Sequence, residues 1–141
     1  MKKKNEAKLF MEQPEKLDAI IENKLIEKKQ WRDLALGITA NTDCERVQSS
    51  GTKSRMADAV ARCIDVEAEI DNLIDKLIDV KQNVLDVIEQ LDVPMEYKVL
   101  HDRYIKYMSL QEIADKYGHD YSWASTTQGR ALKSVEKLLK K

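Results

Sequence analysis

Six side chains near the end of the chain have the types and spacing of a face that grips a polyanion: Tyr121, Ser122, Ser125, Thr126, Arg130 and Lys133. On a helix Tyr121, Ser122, Ser125 and Thr126 are expected opposite Ala124, Thr127 and Ala131, which with Leu132 and Val135 supply the inward stripe. The hydroxyls of Tyr121, Ser122, Ser125 and Thr126 can donate and accept hydrogen bonds, and Arg130 and Lys133 can neutralise phosphate charge. Lys106, Lys116 and Lys137 would add to that charge, whereas Lys140 and Lys141 suit the negative end of a helix dipole.

Other chemistries find no support. No acid pair, Ser/His/Asp set or Gly-rich phosphate loop occurs at motif spacing, so no enzyme is expected. Cys44, Cys63, His101 and His119 are scattered singly, which gives no metal spacing and no disulfide framework. No cofactor is expected, and reduced thiols fit a cytoplasmic chain. Trp123 reads as a half-buried packing residue, and Tyr97, Tyr104, Tyr107 and Tyr117 as core and rim.

The outward face needs two short helices to position it. Ser109 caps a helix whose Leu110, Ile113, Ala114 and Tyr117 share one side. Gly118 stands where a left-handed helix end favours a residue without Cβ. A three-residue turn then leads to the helix that carries the polar face, with Asp120 at its cap. Two short helices across a Gly-containing turn have the geometry of a helix-turn-helix.

The same residues resemble a known family. Gly118 to Val135 aligns without a gap to the end of region 4 of bacterial sigma factors. Arg103-Tyr104, Ser109-Leu110, Glu112-Ile113-Ala114 and Ala131-Leu132 match that family's motifs in order. Tyr121-Ser122-Trp123 looks more like phage and prophage proteins of Gram-positive bacteria with a sigma-region-4-like end, relatives of ArpU/RinA-type late-gene regulators. Leu17 to Glu22, Glu45 to Gly51 and Met56 to Val60 are similar to that phage group as well. The resemblance implies base and phosphate contacts at Tyr121, Ser122, Ser125 and Thr126. Sigma factors usually carry Arg, Glu and Gln there, so their target sequence is not implied.

The rest of the chain predicts an all-α fold, in which an N-terminal helix packs on a long coiled-coil-like helix ahead of the helix-turn-helix. Residues 1–13 read as a disordered basic tail. From Pro14, suited to a first helical turn, to about Ile38, apolar residues recur at helical spacing. Residues 39–54 lack periodicity and read as a loop. Over 55–92, both seam positions of a heptad register are apolar through five repeats, from Met56 and Ala59 to Val87 and Leu91. Val93-Pro94 ends that helix, and a third is expected over about 95–107. These boundaries give an arm over 14–93 and a DNA-binding domain over 94–141.

Charge divides along the same lines. Residues 1–55 carry net +3, 56–93 net −7, and 94–141 net +3, which assigns a polyanionic partner to the C-terminal end. No apolar run approaches the ~20 residues of a membrane span. The expectation is a sequence-selective transcriptional regulator that binds double-stranded DNA as a homodimer. RNA polymerase is a further candidate partner, and a small-terminase-like packaging subunit is the rival reading.

Overall fold

The computed structural model describes residues 4–37 and 50–140. Every regular element among them is helical: α1 (Lys4–Ala35), α2 (Ser50–Ile88), α3 (Pro94–Leu100) with a π-helical turn (His101–Ile105), α4 (Leu110–Tyr117) and α5 (Tyr121–Leu139). Among the described residues, no helix is long and apolar enough to cross a membrane.

The start of α1 corrects the tail expected over 1–13 as far as residues 4–13 are concerned; residues 1–3 lie outside the described ones. The helix begins at Lys4 and runs through Pro14, because Ala7, Met11, Pro14, Leu17 and Ile21 form one buried stripe. An interior proline removes the N–H that would meet the carbonyl four residues back. Here the Gln13 Nε2 donates to that Phe10 carbonyl at 3.2 Å, so the acceptor is not stranded. The helix ends at Ala35, short of the expected Ile38.

Helix α2 begins at Ser50, so residues 50–54, expected in a loop, are helical; the loop's remaining residues 39–49 lie outside the described ones. Its heptad seam is met within the chain. Ala59, Val66, Ile70, Val80 and Val84 are buried, and Leu73 and Leu77 are half-buried. The seam therefore does not by itself require a second copy.

Two compact units divide these helices, and the division cuts across the expected boundary at residue 93/94. One unit contains the chain from Asp18 to Lys76; the other joins the chain up to Leu17 with everything from Leu77 onward. In the first, α1 and α2 run antiparallel, since Lys24 reaches Glu69 at 2.7 Å while Glu27, further along α1, meets Arg62 at 3.4 Å. Arg62 also lies over the Trp31 ring, 5.5 Å from its centroid. These exposed pairs set register more than they add stability.

The second unit has its core where Ala7 and Met11 of α1 meet Val84 and Ile88 of α2, Leu100 of α3, Tyr104, and Ala131 and Val135 of α5. Both α3 and α4 pack against α5. The C-terminal helices thus share one core with the beginning of the chain.

Candidate functional site

Helix α4 is built as its residues dictate. The Ser109 hydroxyl accepts from the Glu112 N–H at 3.1 Å, and the Ser109 N–H donates back to the Glu112 carboxylate at 2.8 Å. This reciprocal box satisfies two N–H groups that a helix start would otherwise leave unpaired. Ile113 and Ala114 are fully buried, with Leu110 and Tyr117 half-buried beside them. Gly118 closes the helix at φ 74°, where any other L residue is strained. The His119 N–H, donating to the Ala114 carbonyl at 2.8 Å, completes the stop.

After Gly118, His119 and Asp120, α5 starts with the Asp120 carboxylate accepting from the Trp123 N–H at 2.9 Å. Its buried residues are Ala124, Thr127, Ala131 and Val135, the stripe read from the sequence, with Leu132 half-buried. Tyr121, Ser122, Ser125, Thr126, Arg130 and Lys133 are all exposed on the other side of the same helix. Small inward residues allow α4 and α5 to approach closely, and the outward side chains are left free of core packing. A Cβ placed on Gly129 would meet nothing within 4 Å among the described residues. The unbound chain therefore gives no steric reason for a glycine there.

The aromatic residues at the turn form a cluster. The His119 ring stacks on Trp123 with centroids 4.0 Å apart, and Tyr117 tilts against Trp123 at 6.1 Å. Trp123 is half-buried, and the cluster braces the turn that joins α4 to α5.

Asp102 is the residue that the sequence did not single out. It is 3% exposed, accepts from the Tyr117 hydroxyl at 2.7 Å and from Lys116 Nζ at 3.0 Å, and has Lys106 Nζ 3.7 Å away. Burial pushes its carboxyl upward, but the Tyr117 and Lys116 hydrogen bonds and the two ammonium charges outweigh that and leave it below its ordinary value. Lys116 is raised in turn, chiefly by its bond to Asp102. Lys106 and Lys116, expected to help with phosphates, are thus drawn to Asp102, although both keep about half their side chains in solvent. These groups border a depression of about 440 Å³ that Tyr97, Lys98 and His101 also line.

Asp102 sits in the π-helical turn, where the expected straight helix over 95–107 is interrupted. The Lys106 N–H donates to the His101 carbonyl, five residues back, at 3.1 Å. Tyr107 then takes φ 61°, a left-handed conformation costing about 1–2 kcal/mol for a residue with a Cβ. Lys81 lies 5.9 Å from its ring centroid, and Arg103 Nη1 donates to the Met108 carbonyl at 3.2 Å. These contacts hold the chain as it turns into α4.

Asp102→Ala is expected to cost about 2–3 kcal/mol, since it removes charge-assisted hydrogen bonds to Lys116 and Tyr117. The depressed folded-state carboxyl stabilises fully above the unfolded value of about 3.9 and loses that contribution as pH falls through the lower folded value. Urea unfolding of the native chain and Asp102→Asn should therefore differ near neutral pH and converge in acid. Equal midpoints at neutral pH would remove the carboxylate from this account.

Among the described residues, no cluster of three or more His, Cys, Asp or Glu could hold a metal ion. The chain matches no family model, no curated protein and no solved structure.

Proposed function

We propose that this chain is a sequence-selective DNA-binding transcriptional regulator of phage type, with α4, the turn and α5 acting as a sigma-region-4-like helix-turn-helix. The observation that carries this reading is α5 itself. A capped helix buries Ala124, Thr127, Ala131 and Val135 and presents Tyr121, Ser122, Ser125, Thr126, Arg130 and Lys133 together to solvent. A helix laid in the major groove needs that division of faces. Arg130 and Lys133 contact phosphates, and the hydroxyls of Ser125 and Thr126 meet base edges. Two copies would place their recognition helices on half-sites ~34 Å apart, or multiples of that.

Competition binding to duplex DNA, at several salt concentrations, tests the assignment. Point substitutions suit this better than truncation, because the C-terminal helices share a core with Met11 and Val84. Arg130→Ala or Lys133→Ala should weaken binding to all sequences and flatten the log–log salt slope by about 0.9 each. Ser125→Ala with Thr126→Ala should keep the fold and narrow the gap between selected and competitor DNA by ~1–3 kcal/mol. A folded double variant with undiminished selectivity would show that another surface reads the bases.

A further inference from the structure

We propose that the depression beside Asp102 binds a free mononucleotide, with its base against the Tyr97 and His101 rings and its phosphate among Lys98, Lys106 and Lys116. The lining residues come from α3, the π-helical turn and α4, all within one compact unit. A volume of about 440 Å³ falls within the range of small-molecule sites.

The π-helical turn builds this site. In an α-helix, side chains five residues apart point about 140° away from each other. The bond from the Lys106 N–H to the His101 carbonyl widens the turn, so that His101 and Lys106 border one depression. Such turns are rare and gather at functional sites. The left-handed Tyr107 adds backbone strain one residue further on, and strain of that kind also concentrates where ligands are held.

The lining is rich in donors, and its buried acceptor is already engaged. Lys116 Nζ donates to both Asp102 oxygens, at 3.1 and 3.0 Å, and the Tyr117 hydroxyl donates to one of them at 2.7 Å. Lys106 Nζ lies 3.7 Å from Oδ1, the oxygen that Lys116 also reaches. That is too long for a hydrogen bond, so its donors remain open. Lys98 is exposed and has no ion pair among the described residues. Glu89 is the other carboxylate that acts on His101, more weakly than Asp102 does. Three ammonium groups thus face two carboxylates, one of them buried beneath its partners, and the excess charge suits an anion.

The rings decide which anion. Tyr97 and His101 have centroids 5.6 Å apart, and Tyr117 borders the same depression. Burial and the charges of Lys106 and Lys116 lower His101, so its ring is neutral near pH 7 and can stack on a base. Inorganic phosphate would leave the rings unused, and duplex DNA keeps its bases in the stack. A phosphate monoester carries almost two negative charges near neutral pH, against one for a backbone diester. Clustered ammonium groups therefore favour the free mononucleotide over a single strand. The inference does not rest on DNA recognition, and its test is run without DNA.

Calorimetric titration of the full chain with AMP, GMP, CMP and UMP, at low salt without phosphate buffer, should show one site per chain for at least one of them. The matching nucleoside, inorganic phosphate and an end-blocked single-stranded oligonucleotide should each bind more than roughly tenfold more weakly. Lys98→Gln with Lys106→Gln should weaken the nucleotide more than roughly tenfold, because two charges facing the phosphate are lost. Both side chains are exposed, so helicity should be kept. Arg130→Ala, on the outward face of α5, should leave nucleotide affinity unchanged, which separates this site from the proposed DNA face. In NMR spectra of the native chain, the Tyr97 and His101 ring protons should shift on saturation while those of Tyr121 stay in place. That measurement decides the location even if the lysine variant misfolds. Failure of all the mononucleotides to bind at millimolar concentration would overturn the proposal. So would equal or tighter binding of inorganic phosphate or of the single strand, a folded lysine variant with native affinity, an Arg130→Ala chain that loses the nucleotide, or rings that do not shift.

Discussion

Ile113→Asp is expected to abolish cooperative folding of the unit that contains α3, α4 and α5. Ile113 is fully buried in α4, and its replacement removes a branched aliphatic side chain while leaving a carboxyl in the space. Losing the side chain alone costs about 2–5 kcal/mol, and an unpaired buried carboxyl adds several more or must take up a proton. The sum approaches the 5–15 kcal/mol that typically holds a whole domain. Circular dichroism should show reduced helicity, and thermal melting should lose its sharp transition. Ile113→Val, which removes one methylene, should cost only about 0.5–1.5 kcal/mol and keep the transition. A folded Ile113→Asp chain with native-like melting would mean that α4 does not bury this position.

Met11→Ala is expected to destabilise the chain by about 2–5 kcal/mol, the usual range for emptying a buried methionine site. Met11 has no exposure and touches the core formed by Val84, Ile88, Leu100 and Val135. Deleting residues 1–13 should cost more, because it removes Ala7 and Phe10 together with Met11 from the same cluster. A disordered tail predicts the reverse, with no change in stability for either variant. Urea unfolding followed by Trp123 fluorescence in a Trp31→Phe background, and by helicity, separates the two. An unchanged midpoint after deletion would detach the start of α1 from the C-terminal helices.

The sequence by itself was enough for α4, the turn and the inward stripe of α5. Ser109, Gly118 and Asp120 act through backbone groups within a few residues of themselves, so their roles are local and type-specific. The alternation of Ala124, Thr127, Ala131 and Val135 with exposed polar residues follows directly from helical periodicity. The long heptad stripe of α2 was equally legible, because five repeats of apolar residues are hard to accommodate in any other element.

Tertiary structure decided what those elements pack against. Pro14 after a lysine-rich start is a helix-start signal, and it was overridden because Ala7, Met11 and Pro14 have a core to enter. Gln13, meeting the Phe10 carbonyl, removes part of the cost of continuing through the proline. Asp102 was silent for a different reason. A carboxylate beside Tyr104 looks like any surface acid until the π-helical turn carries it inward to Lys116 and Tyr117, fourteen and fifteen residues away. The heptad seam of α2 specified an apolar partner but not which one. That choice fell to α1, whose reversed direction is fixed by the Lys24–Glu69 and Glu27–Arg62 pairs. Short-range patterns thus set the helices and their faces, whereas burial, which depends on residues distant in sequence, chose their partners.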